Sequence, residues 1–90
     1  MNVSQAPERR RAPRTPSSGS IQLSFEDPAP VTLEAELVES SSTGFRAAHE
    51  YKNLTPGIIV EFRRESAAGR ARVIWTHVLD GRRISGFHLL

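Results

Sequence analysis

From residue 21 onward, apolar and polar residues alternate in short runs with a period of two. The clearest run covers residues 31–37, where valine, leucine and alanine alternate with threonine and glutamate. Such alternation is typical of a β-strand that buries one face and exposes the other. Similar runs recur along the chain. The pattern predicts six strands at residues 21–25, 31–37, 45–49, 58–64, 70–78 and 83–89.

Turn-forming residues separate these runs. Residues 27–30 read Asp-Pro-Ala-Pro, residues 39–44 form a serine-rich polar segment closed by glycine, and residues 67–69 read Ala-Ala-Gly. Asp80-Gly81 is the dipeptide that a two-residue β-hairpin favours. A helix over residues 43–52 is the alternative for that region, but the glycine within it and the serines before it weigh against this interpretation.

Six antiparallel strands within seventy residues favour a closed sheet, because closure removes exposed strand edges. We therefore predict an all-β fold, a small six-stranded antiparallel β-barrel. The alternation places Ile58, Val60 and Phe62 inside, together with Ala71, Val73 and Trp75 from the following strand. Trp75 is expected to belong to the core rather than to act as a stacking platform.

The first twenty residues differ from the rest in composition and charge. They contain three prolines and almost nothing apolar, so they cannot bury enough surface to fold alone. We predict a flexible arm over 1–20 and a barrel over 21–90. The arm holds four arginines and one glutamate, a net charge of +3, whereas the remainder has eight basic and nine acidic residues. The basic character therefore belongs to the arm, which favours a local anion contact over an extended nucleic-acid track.

The rest of the composition excludes several kinds of site and of protein. Ninety residues form one domain, and the absence of cysteine excludes disulfides and thiolate metal sites. No apolar run reaches the roughly 20 residues that a membrane helix needs. The three histidines lack metal-ligand spacing, and no catalytic motif is present. We expect a cytoplasmic protein that is not an enzyme, with no cofactor, metal or membrane contact.

Two motifs together carry a family resemblance. Arg10 and Arg14 are four residues apart, and Glu39, Ser41 and Gly44 follow about 30 residues later, ahead of a predicted strand. This combination resembles the PilZ domain, which has two signatures. One is a pair of arginines at that spacing. The other is Asp or Asn followed by any residue, Ser, any two residues and Gly. The resemblance covers residues 8–90. It implies a six-stranded barrel that binds the bacterial second messenger cyclic di-GMP, with the arginine arm wrapping over the ligand.

The residue chemistry agrees with the resemblance. Arginine binds phosphate oxygens or the guanine O6/N7 edge and stacks on purines. A glutamate can accept hydrogen bonds from guanine or hold an arginine, a serine can donate to phosphate or base, and a glycine permits close backbone approach or a positive φ. An arginine preceding the pair resembles members that take up an intercalated ligand dimer. The predicted ligand-binding residues are Arg9, Arg10, Arg14, Glu39, Ser41, Gly44 and Arg46.

Glu39 departs from the family pattern, which has Asp or Asn. The extra methylene moves the carboxylate outward by roughly 1.5 Å. Two alternatives therefore stay open. One is a degenerate PilZ-like adaptor that binds a protein partner and no nucleotide, and the other is a small barrel that binds nucleic acid through its basic arm. The arginine run as a solvated tail and the serine cluster as an ordinary turn are the simplest interpretations. A receptor would also need a downstream protein partner.

Overall fold

The structure is a computed structural model, and it describes residues 15–16 and 19–90 of the chain. This part of the chain is all-β and contains no helix. Its strands are β1 (Thr15–Pro16), β2 (Ser20–Glu26), β3 (Pro30–Ser40), β4 (Gly44–His49), β5 (Ile59–Arg64), β6 (Ala67–Leu79) and β7 (Arg82–Leu89). The prediction of six main strands is confirmed. The helical alternative for residues 43–52 is wrong, because this region forms β4.

The sheet closes into a six-stranded antiparallel barrel. Its strand order is β3-β2-β5-β6-β7-β4, and β4 pairs with β3 to complete the circle. The two-residue β1 lies outside this circle and pairs with the end of β3, Thr15 with Ser40 and Pro16 with Glu39. The predicted barrel is therefore confirmed. The division of the chain at residue 20 stays a prediction.

The alternating apolar residues form one core inside the barrel. Ile21, Leu23, Val60 and Ala71 are fully buried. Three phenylalanines pack against one another. The ring of Phe45 stacks on Phe87 with centroids 4.6 Å apart, and meets Phe62 edge-on at 5.1 Å. Burial of this apolar surface is the main contribution that stabilises the barrel.

The turns differ in how well they follow the sequence signals. Asp80 and Gly81 both have positive φ, and Leu79 pairs with Arg82, so the predicted two-residue hairpin is confirmed. The turn predicted at 67–69 is wrong, because the chain reverses at residues 65–66. Gly69 instead lies in β6 opposite Phe62, where a Cβ atom would sit 3.2 Å from the phenyl ring. The glycine makes room for packing.

A β-bulge in β6 changes the side of the barrel on which Trp75 lies. Val73 pairs with Phe87 and Trp75 pairs with Gly86, so Ile74 is an extra residue without a partner in β7. The extra residue reverses the alternation that follows. Trp75 is half-buried on the outer face, and Thr76 takes the inner position opposite Ser85. The prediction that Trp75 belongs to the core is wrong for this reason.

The loop between β4 and β5 is fixed by its own side chains. Leu54 is almost fully buried and belongs to the core. The ring of Tyr51 meets Phe25 edge-on at 5.1 Å, and its hydroxyl donates a hydrogen bond to the Asp27 carboxylate at 2.7 Å. This hydrogen bond holds the protonated phenol and raises the pKa of Tyr51.

Candidate ligand-binding site

The serine-rich turn between β3 and β4 is held by its own polar groups. The Ser41 amide donates to the Gly44 carbonyl at 2.9 Å, and the Thr43 amide donates to Ser41 Oγ at 3.2 Å. The Leu89 amide in turn donates to the Thr43 carbonyl at 2.9 Å, which ties the turn to β7. The Ser41 hydroxyl oxygen is thus an acceptor within the turn. Its predicted contact with a ligand stays a prediction.

Gly44 is required by a close approach of two backbones. Its φ is not positive, so backbone freedom is not the reason for glycine here. A Cβ atom at this position would overlap the carbonyl oxygen of Phe87 in β7. Backbone atoms in a paired strand cannot move aside, so we conclude that only glycine fits where the turn enters β4.

A second bulge directs Glu39 outward. Leu37 pairs with Ala47 and Glu39 pairs with Arg46, which leaves Val38 as the extra residue in β3. In a regular strand without a bulge, Glu39 would lie two residues after buried Leu37 and therefore on the same face. The bulge instead brings the Glu39 carboxylate into an ion pair with the Arg46 guanidinium. Two predicted site residues are therefore brought together, and they contact each other.

The two bulges produce one continuous row of outward-facing residues, which we call the outer row. Cα partners run without a break from Glu39 to Arg46, from Arg46 to Gly86 and from Gly86 to Trp75. At about 4.8 Å per strand spacing, the outer row spans roughly 14 Å. It places a carboxylate, a guanidinium, a glycine and an aromatic ring in one row on the outside of the barrel.

The aromatic end of the outer row was not predicted. The ring of Trp75 stacks on His77 at 4.9 Å with 24° between the planes. The same ring covers Gly86, where a Cβ atom would collide with the indole. A signal for the bulge was present, because Val73-Ile74-Trp75 interrupts the alternation of apolar and polar residues.

The predicted arginine motif directly precedes the first residues that the structure describes. Arg9, Arg10 and Arg14 lie outside the described residues, so their contacts stay predictions. Arg14 directly precedes Thr15, which pairs with Ser40. Pro16 pairs with Glu39, the acidic end of the outer row. The chain that follows the arginine motif therefore joins the barrel beside the serine-rich turn.

A buried polar cluster lies on the inner side of the same strands. The Tyr51 amide donates to His49 Nδ1 at 3.1 Å, so the neutral ring carries its proton on Nε2 and donates to Ser85 Oγ at 2.7 Å. Ser85 Oγ lies 2.5 Å from Thr76 Oγ1, which donates to the Leu54 carbonyl at 2.6 Å. We call His49, Ser85 and Thr76 the inner cluster. Burial, and then the charge of Arg83, lower the pKa of His49.

The His49–Ser85 pair has the wrong geometry for nucleophilic catalysis. A general base must present an unprotonated nitrogen to the hydroxyl. Here the nitrogen facing Ser85 carries the proton, because Nδ1 is occupied by a backbone amide. Ser85 is also fully buried. We therefore assign the inner cluster a structural role.

A separate polar groove lies elsewhere on the barrel. Its lining includes Gln22, Glu34, Arg63, Arg64 and Ser66. None of the predicted site residues that the structure describes lines this groove. Its mixed charges do not select one class of ligand.

Across residues 15–16 and 19–90, no cluster of three or more metal-ligating side chains occurs. No helix in the described part of the chain is long and apolar enough to cross a membrane. No protein-family model matches the chain, and no curated protein matches it significantly. The resemblance to PilZ domains rests on the residues quoted above.

Proposed function

We propose that this protein is a non-enzymatic receptor for cyclic di-GMP that binds its ligand on the outer row. The observation that supports the proposal is the pairing of β1 with β3. This pairing brings the chain that follows the arginine motif to Ser40 and Glu39, next to the second motif. Thr15 and Pro16, the residues that directly follow Arg14, thereby lie beside the second motif.

The outer row offers contacts for each part of a cyclic dinucleotide. The exposed part of the Trp75 ring can contact a guanine base, and stacking of a base on an aromatic ring is worth about 1–3 kcal/mol. Arg46, with Arg10 and Arg14 of the arm, supplies guanidinium groups for the phosphates. Gly86, which lies between Arg46 and Trp75 in the outer row, has no side chain, and the Trp75 ring covers it.

Binding would change the surface that a partner meets. In the proposal the arm folds over the ligand, and the free energy of the charge-assisted contacts exceeds the cost of ordering the arm. The ordered arm would then be recognised by a downstream protein partner. The lack of cysteine fits the cytoplasmic location that belongs to this proposal.

Calorimetric titration with cyclic di-GMP tests the proposal, with GMP as the control ligand. We expect saturable binding near micromolar Kd, about −8 kcal/mol. The double variant Arg10→Ala with Arg14→Ala should abolish it. Arg63→Ala with Arg64→Ala is the matched control, because it removes two arginines elsewhere on the barrel. Equal loss in both variants would indicate a general charge effect, and an unchanged Kd in the first would show that the site is misassigned.

The ion pair between Glu39 and Arg46 favours one second candidate, a PilZ-like adaptor that binds a protein and no nucleotide. A carboxylate already held by arginine is not available to guanine. On this hypothesis the native chain fails to bind cyclic di-GMP, whereas Glu39→Asp gains detectable binding. Equally tight binding by both proteins would exclude the adaptor.

A further inference from the structure

Arg46 already holds an anion. The Glu39 carboxylate contacts the Arg46 guanidinium, and the two side chains are 17% and 34% exposed. The pair is therefore half-buried, where an ion pair is less screened by salt than at an open surface. Arg46 Nε is buried and makes no hydrogen bond within the described residues.

The backbone sets this pair in place. Glu39 and Arg46 are direct Cα partners in adjacent strands, and the bulge at Val38 turns the glutamate toward the arginine. Since the strands fix both Cα positions, forming the pair costs less side-chain entropy than it would in a flexible loop. Any ligand that approaches Arg46 meets a preformed complex with a carboxylate.

A carboxylate and a phosphate present the same chemistry to arginine. Both offer two oxygens that match the guanidinium fork. We propose that Glu39 is an internal competitor, which occupies Arg46 until a phosphate group of the ligand displaces it. This inference rests on the proposed function, and it assigns the regulation of the same site.

Displacement has an electrostatic consequence. A phosphate bound to Arg46 while Glu39 stays in place would put two negative groups beside one positive group. The Glu39 carboxylate therefore leaves the Arg46 guanidinium as the ligand binds. The competitor raises the ligand concentration needed for occupancy and selects against weakly anionic molecules, which cannot displace a carboxylate.

Glu36 provides a matched control within the same strand. It lies three residues before Glu39 and forms an exposed ion pair with Arg82 at 2.6 Å, with side chains 64% and 51% exposed. Glu36→Gln removes the same charge as Glu39→Gln and leaves Arg46 paired. A difference between the two variants therefore reports the contact and not the net charge.

The first experiment uses inorganic pyrophosphate as the probe, so that it does not depend on the identity of the ligand. The Nε–H resonance of Arg46 is followed by NMR during titration of the native chain, Glu39→Gln and Glu36→Gln. We expect the midpoint for Glu39→Gln at about tenfold lower pyrophosphate, equal to about 1.4 kcal/mol. Glu36→Gln should behave like the native chain. Equal midpoints in all three proteins, or no shift of Arg46 in any of them, would overturn the proposal.

The second experiment repeats the calorimetric titration with cyclic di-GMP on the same proteins. Tighter binding by Glu39→Gln than by the native chain supports the competitor. Weaker binding would make Glu39 a ligand contact, which overturns the competitor and leaves the receptor function intact. A third outcome is that none of the three proteins binds cyclic di-GMP, while the Arg46 resonance of Glu39→Gln still shifts at lower pyrophosphate than that of the native chain. In that case the competitor is supported and the receptor function is not.

Discussion

The outer row and the inner cluster use the same strands for different purposes. Both take residues from β4, β6 and β7, and both are polar. The inner cluster is neutral, and each of its donors has an acceptor within the barrel. The outer row is charged and half-exposed, and its guanidinium is held by a carboxylate. A neutral, fully paired cluster stabilises the fold, whereas the charged, half-exposed pair is the place where we propose that a ligand replaces Glu39.

The largest effect is expected from breaking the inner cluster. His49→Ala removes a buried ring, leaves the Tyr51 amide without its acceptor, and takes one of two hydrogen-bond partners from Ser85 Oγ, which keeps Thr76. We expect a loss of about 3 kcal/mol in the free energy of unfolding, from the cavity and the unpaired groups together. Urea denaturation measures this loss. His88→Ala, at an exposed position, is the control and should cost less than about 0.5 kcal/mol. Similar losses for both variants would contradict the structural role of the cluster.

Acid should weaken the inner cluster next. The pKa of His49 lies below its ordinary value of 6.5 in the folded chain, so the unfolded chain takes up a proton first as pH falls. The stability is therefore complete above about pH 6.5 and declines below it, until the folded-state pKa is reached. Arg83 adds to this effect and Glu50 opposes it.

The pH dependence can be assigned to His49 by comparison. Urea denaturation between pH 8 and pH 5 should show a steeper decline for the native chain than for His49→Gln. His77 and His88 remain in both proteins, so their contribution cancels in the difference. Parallel curves would mean that another group carries the acid sensitivity.

The smallest effect separates the two ion pairs of β3. A double-mutant cycle on Glu39 and Arg46 should give a coupling energy of about 1 kcal/mol, because the pair is half-buried and preset by the strands. The exposed pair of Glu36 and Arg82 should give about 0.3 kcal/mol and lose it in high salt. Equal coupling energies would remove the distinction between the two pairs.

The sequence predicted the barrel well because alternation reports burial directly. Residues 21–25 and 58–62 show the period-two pattern, and the strands follow it. The two bulges could not be predicted in the same way. A bulge at Val38 or Ile74 depends on the residues of the neighbouring strand. Gly86, for example, has no side chain and leaves space for the ring of Trp75. That information lies in the tertiary packing.

The candidate site was predicted in part for the same reason. Motif spacing identified Glu39, Ser41 and Gly44, Arg46 was predicted from its place on the strand that leaves the turn, and the structure brings Glu39 and Arg46 into contact. The sequence did not show that Glu39 and Arg46 would form an ion pair with each other, since the bulge at Val38 places them opposite one another. Trp75 was placed in the core because strict alternation puts it on the side of Val73.

The bulges also have a consequence for how the chain tolerates insertions and deletions. At most positions in a barrel, one residue more or fewer turns every following side chain onto the opposite face. Val38 and Ile74 are surplus residues that the barrel already accommodates. Removing either would restore a regular ladder and still leave Glu39 opposite Arg46 and Trp75 opposite Gly86. We therefore expect that β3 and β6 can each lose this one residue without turning their buried side chains toward the outside of the barrel.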